Sequence, residues 1–121
     1  MFQGLRTIIY RVQDLQKAKD WYTKLLGISP YFDEPFYVGF NVGGFELGLD
    51  PSAENLTIGD NVHAYWGVQN ISEAFPRALE MGATKNADVQ DVGAGIKVAT
   101  IRDPFGNIFG LIENPNFKIQ A

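Results

Sequence analysis

Few side chains in this 121-residue chain can carry chemistry. His63 is the only histidine, and cysteine is absent. An imidazole ordinarily titrates near neutrality, which suits His63 to act as a general base or as a donor to a bound molecule. It suits equally a structural histidine satisfied by a neighbour, because acid–base machinery needs partners that one histidine does not supply. Zinc, nickel or iron sites want several imidazole, carboxylate or thiolate donors converging on one point. Arg11 is the second residue of interest. In an extended chain it shares a face with Thr7 and Ile9, and a guanidinium there must be paired or solvated. Glu46 is one acid that could pair with it across a sheet.

The elements that must position these residues come in two copies. Arg11-Val12-Gln13-Asp14-Leu15 ends one apolar run, and Gly67-Val68-Gln69-Asn70-Ile71 ends another, offset by 56 residues (from 11 to 67). Each is followed by a helix-like stretch that stops at glycine, Gly27 or Gly82. Each copy closes on a Gly-Leu step, Gly48-Leu49 or Gly110-Leu111. In the first copy, Leu5 to Gln13 reads as a strand and Asp14 as a helix N-cap. Leu15, Ala18, Tyr22, Leu25 and Leu26 then form one apolar stripe. Three strands are expected next, at Ile28 to Asp33, Phe36 to Val42 and Phe45 to Leu49, with Gly43-Gly44 as a hairpin turn. Asp50 to Asn61 reads as a linker. The second copy predicts a strand at Val62 to Val68 and a helix bearing Ile71, Ala74, Phe75, Ala78 and Leu79. If Ser72 is its cap, Pro76 sits too deep and distorts the helix start. Strands are expected at Thr84–Val89, Ile96–Ile101 and Ile108–Glu113, the last after the turn Asp103-Pro104-Phe105-Gly106-Asn107.

The segments YRVQDLQKAKDWYTKLLGI and RDPFGNIFGLIE, with the duplication, resemble the vicinal oxygen chelate superfamily. It includes glyoxalase I, the bleomycin and fosfomycin resistance proteins and the extradiol dioxygenases. The resemblance spans about Leu5 to Asn114. It implies an α+β fold of two tandem βαβββ modules (5–50 and 62–113, linker 51–61) forming one domain over 1–121, an eight-stranded cup with helices on its convex face. Metal-dependent members carry an imidazole on the first strand of each module and a carboxylate on the last. Carried onto this sequence, those positions are Thr7, His63, Gly48 and Gly110, of which His63 alone keeps the ligand type. The resemblance also implies that an arginine placed like Arg11 helps hold an anionic substrate group, beside its alternative role in an ion pair. Period-two alternation puts Glu46 on the face of Gly48, with Asp50 at the strand end, and turns Glu113 away from Gly110.

These readings predict no resident metal or cofactor. They predict a protein that holds a small apolar or weakly anionic organic molecule in the cup through Thr7, Arg11, Glu46, Gly48, His63, Tyr65 and Gly110. The run Tyr31, Phe32, Phe36, Tyr37, Phe40 with Phe45 reads mostly as core. The two glycines are expected to leave floor space where a flat molecule stacks on Tyr65. The alternative is an enzyme of the same superfamily, a lyase, isomerase or dioxygenase. It would work either through a non-standard metal site or with His63 or Glu46 as base and Arg11 stabilising negative charge. A third possibility is an assembly module whose cup is blocked by its own side chains. A net charge of −4 with scattered basic residues argues against a nucleic-acid partner. No apolar run is long enough to span a bilayer and no signal-peptide plan is present, so a cytoplasmic protein is expected, and from the family's habit a homodimer.

Overall fold

A computed structural model describes residues 3–52 and 62–118. The chain divides into two compact units, Met1–Ile58 and Gly59–Ala121. Each is built as strand, helix and three strands, so the chain is α+β with two tandem βαβββ modules. The expected linker lies largely outside the described residues.

Module one comprises β1 (Thr7–Arg11), α1 (Leu15–Leu26), β2 (Phe32–Glu34), β3 (Tyr37–Val42) and β4 (Phe45–Asp50). Its sheet order is β1-β4-β3-β2, with β1 parallel to β4 and the other pairs antiparallel. The Asp14 carboxylate accepts from the Lys17 N–H at 3.1 Å and so satisfies an orphan donor of the first helical turn. Gly27 ends the helix in the left-handed conformation at φ 70°. Alternation divides the sheet cleanly. Tyr10, Val12, Val38, Phe40, Leu47 and Leu49 face the helix and bury with Ala18 and Tyr22, and the Tyr10 and Tyr22 rings stack. Thr7, Ile9 and Arg11 fall on the other, helix-free face.

Module two repeats this with β5 (Tyr65–Gly67), α2 (Ile71–Glu80), β6 (Thr84–Gly93), β7 (Ile96–Arg102) and β8 (Ile108–Glu113). Its sheet order is β5-β8-β7-β6. Here Ala99, Ile101, Phe109 and Leu111 bury beside Ile71, Phe75 and Ala78 of the helix, and Trp66 stacks on Phe109. Asn70, not Ser72, caps α2, accepting from the Ser72 N–H at 3.0 Å. The helix therefore starts at Ile71 and runs through Pro76 to Glu80. Its first N–H, from Ile71, donates to Glu113 at 2.9 Å, so Glu113 points to the helix side as alternation requires. Strand β5 is shorter than expected, leaving His63 ahead of it. Strand β6 runs on to Gly93 with register shifts against β7, and such irregularity twists an edge strand away from further pairing.

The turn before β8 is held by one buried side chain. Asp103, 3% exposed, accepts from the N–H groups of Phe105 (2.9 Å) and Asn107 (2.7 Å) and from Asn107 Nδ2 (3.2 Å). Arg102 donates to the Gly106 carbonyl at 2.8 Å. Replacing Asp103 strands several donors at once, whereas replacing Asp14 exposes its orphan donors to water. Asp103→Ala is therefore expected to cost about 3 kcal/mol and Asp14→Ala about 1 kcal/mol, read from urea midpoints at constant slope.

Candidate functional site

The parallel pair β1–β4 sets the site's frame in module one. Thr7 lies beside Glu46, Ile9 beside Gly48 and Arg11 beside Asp50. The Gly43-Gly44 turn folds β3 back on β4, placing Asn41 opposite Glu46 and Gly39 opposite Gly48. Strand β2 adds Phe32 beside Gly39 and Glu34 beside Tyr37. All of these occupy the face that α1 does not cover.

Two glycines side by side on neighbouring strands leave a hollow, and two tyrosine rings fill it. A β-carbon on Gly48 would overlap the Tyr37 hydroxyl and stand 2.6 Å from its Cζ. A β-carbon on Gly39 would come within 3.3 Å of the Tyr31 ring and 3.1 Å of Glu46 Oε1. Both phenols converge on one carboxylate. Tyr37 donates to Glu46 Oε2 at 2.5 Å, and Tyr31 donates to Glu46 Oε1. Burial, and then the charge of Asp50, raises the Tyr37 phenol above its ordinary pKa of 10.0, so it stays a protonated donor at neutral pH.

Module two solves the corresponding position differently. Tyr65 lies beside Gly110 in register, as Ile9 lies beside Gly48. A β-carbon on Gly110 would meet the Ala64 carbonyl at 2.5 Å and the Tyr65 Cδ1 at 2.7 Å. The floor space expected above both glycines is thus filled by tyrosine, Tyr37 in one module and Tyr65 in the other. His63 is exposed, with its ring edge against Tyr65 at a centroid distance of 6.4 Å. Thr100, opposite Gly110 on β7, is buried and accepts from Asn86 Nδ2 at 2.9 Å.

Among the expected site residues of module one, Thr7, Arg11, Glu46 and Gly48 share one sheet face. In module two, Tyr65 and Gly110 adjoin, with His63 against Tyr65. Reasoning from sequence missed Tyr31, Tyr37 and Gly39. It also read the aromatic run as core, but of those residues only Phe40 is buried. Tyr31, Phe32 and Phe36 are 63%, 38% and 67% exposed. The reason is that the run straddles an edge strand and the turn into β3, which α1 does not reach.

The residues at the family's ligand positions do not fit a divalent metal. They offer one imidazole, one hydroxyl and two glycines, and a carboxylate at 48 would have to displace the Tyr37 ring. Glu46, the nearest substitute, has each oxygen engaged by a phenol. Among the described residues no group of three or more His, Cys, Asp or Glu side chains lies close enough together to hold a metal.

Overlap with the Tyr37 ring predicts that Gly48→Ala destabilises the protein by about 1–3 kcal/mol. On a Tyr37→Leu background the same change costs less; equal costs in a double-mutant cycle would mean the ring does not fill this space. The raised pKa of Tyr37 has a pH consequence. The folded state keeps this proton where the unfolded chain loses it, so stability falls as pH rises through 10.0 toward the folded value. Tyr37→Phe removes that contribution, and its alkaline loss of stability is expected to be shallower than that of the wild type in urea titrations.

The comparisons with known proteins agree with this architecture. Residues 4–111 match the family model of the glyoxalase/bleomycin resistance protein/dioxygenase superfamily. A glyoxalase-related enzyme from Fulvimarina pelagi is similar in structure at a TM-score of 0.78 and 19% identity, covering 99% of this chain and 94% of its own. A glyoxalase/bleomycin resistance protein/dioxygenase family enzyme from Burkholderia phytofirmans PsJN gives 0.77 and 17%, covering 91% and 98%. A superfamily member from Sphaerobacter thermophilus DSM 20745 gives 0.75 and 22%, covering 93% and 98%. No curated protein matches the chain. With the duplicated βαβββ order and a family match over most of its length, the chain belongs to the glyoxalase/bleomycin resistance protein/dioxygenase superfamily.

Proposed function

We propose that this protein binds a small, largely apolar organic molecule on the helix-free faces of its sheets, without a metal. The observation that supports this is the replacement at both carboxylate positions: Tyr37 packs against Gly48 and Tyr65 against Gly110. Where metal-dependent relatives are expected to carry carboxylates, this chain carries glycines beside aromatic rings and a few oriented polar groups, the composition typical of organic-ligand sites. In this reading module one contributes Thr7, Arg11, Glu46 and Gly48 together with Tyr31 and Tyr37, and module two contributes His63, Tyr65 and Gly110. The idea of an anionic ligand rests on Arg11 alone, and Asp50 stands beside Arg11 in register, so the apolar part of the reading is the better supported. The enzymatic alternative draws less support: of its two candidate bases, His63 is exposed with its ring edge against Tyr65, and Glu46 is tied to two phenols.

Two measurements test this. Elemental analysis of purified protein is expected to find no stoichiometric zinc, nickel or iron; an ion retained one-to-one and lost in His63→Ala would overturn the metal-free reading. A thermal-shift screen of aromatic acids, neutral aromatics, aromatic amines and glycopeptide antibiotics is expected to give hits. A compound at about 100 times its Kd adds about 2.7 kcal/mol of stability. A wholly silent screen would reject small-molecule binding.

A further inference from the structure

Resting on that reading, we infer that the molecule held on module one carries a cationic nitrogen group of the amidinium, guanidinium or aromatic ammonium class. Its seat is the Glu46 carboxylate, held by the Tyr31 and Tyr37 phenols on the face that also carries Phe32.

Glu46 is held in place to an unusual degree for a half-buried glutamate. Tyr31 and Tyr37 fix one oxygen each; the Tyr37 ring fits because residue 48 lacks a side chain, and a β-carbon at 39 would crowd Tyr31. A carboxylate oxygen has two acceptor sites, so each oxygen keeps capacity after its phenol bond. Two parallel acceptors in a fixed plane match the paired N–H groups of an amidinium or guanidinium, and that geometry makes charge-assisted bonds strong. Neutral donors gain less from it, and an anion would be repelled.

The aromatic rim is the independent observation. Phe32 meets Phe36 and Tyr37 edge-on, at centroid distances of 6.0 and 6.1 Å, forming one continuous patch. Tyr31 and Phe36 nearby are 63% and 67% exposed and Phe32 38%, and exposed apolar patches mark binding surfaces. Aromatic faces attract cations through their quadrupole, most strongly where the cation is partly desolvated. The face as a whole agrees: it carries Glu34, Glu46 and Asp50 against Arg11, and Arg11 sits beside Asp50, four residues along β1 from Thr7, the neighbour of Glu46. A surface of this balance raises the local concentration of cations.

Three probes of one shape and different charge test the inference: benzamidine, benzamide and benzoate, titrated against the full chain by calorimetry. Benzamidine is expected to bind at least tenfold more tightly than benzamide, a difference of about 1.4 kcal/mol, with benzoate weakest. Added salt should weaken benzamidine selectively. Glu46→Gln should bring benzamidine down to the level of benzamide binding. Amide NMR shifts on the wild type should localise benzamidine to Phe32, Gly39 and Glu46. Benzoate or benzamide equalling benzamidine, or shifts confined to module two, would overturn the cationic assignment while leaving small-molecule binding intact. Silence from all three probes together with a silent ligand screen would overturn both. The charge series and the shifts are read on the wild-type protein, so the outcome does not depend on whether Glu46→Gln folds.

Discussion

Gly39 and Gly48 face each other across β3 and β4, and the whole helix-free surface of module one depends on the hollow they leave. A sheet surface normally carries a side chain at every second position, and cross-strand neighbours touch. Where two adjacent positions carry only hydrogen, a ring from a nearby residue can reach in over the backbone. Tyr37 does so over Gly48 and Tyr31 over Gly39. Their hydroxyls are then carried to one point, and that point is occupied by Glu46. The placement of a half-buried carboxylate follows from two missing β-carbons, with no rigid loop or ion required.

The duplication makes the two modules comparable position by position, and they answer the same glycine differently. In module one the covering ring comes from β3, the antiparallel neighbour; in module two it comes from Tyr65 on β5, the parallel neighbour. The residue two before the glycine differs as well. It is Glu46 in module one, and in module two it is Ile108, buried and apolar. Only module one therefore holds a carboxylate under phenols. The two sheets share one register at the glycine, and the paired-phenol carboxylate is found in module one.

Much of this was legible in the sequence, and the part that was not has a physical explanation. Caps and breakers are local chemistry, so Asp14 and Gly27 could be read directly, and the period of two placed Thr7, Arg11, Glu46 and Gly48 on one face. The two-residue turn Gly43-Gly44 also fixes the pairing of β3 with β4, and counting back from it sets Gly39 against Gly48. That count was available and would have exposed the hollow. The side chains that fill it were not legible. Whether a tyrosine eight or eleven residues away (Tyr31 for Gly39, Tyr37 for Gly48) leans over a glycine depends on rotamers and on how the edge strand is laid. The aromatic run misled for a related reason. Composition says that aromatics bury, but β2 is an edge strand beyond the helix's reach, and exposure there is set by topology. Asn70 was passed over as a cap because Ser72 competed for the role; with Asn70 as the cap Pro76 lies deeper still, and the helix nevertheless runs through it.

Arg11 and Gly110 apart, the segments that carried the family resemblance supply residues with structural tasks. Asp103 ties the turn before β8, Glu113 helps Asn70 hold the start of α2, and Asp14 holds the start of α1. None of these residues faces the candidate site. Strand alternation explains why: one face of each sheet must pack against its helix to keep the fold, while the other is free of that duty. Selection can then change the helix-free face, even to the point of replacing carboxylates by glycine, without touching the contacts that define the architecture. A structural similarity of 0.78 at 19% identity is what such a division of labour produces. It follows that membership in this superfamily informs the buried face of each module far more than the open one. The chemistry of this protein has to be read from Tyr31, Tyr37 and Glu46 themselves.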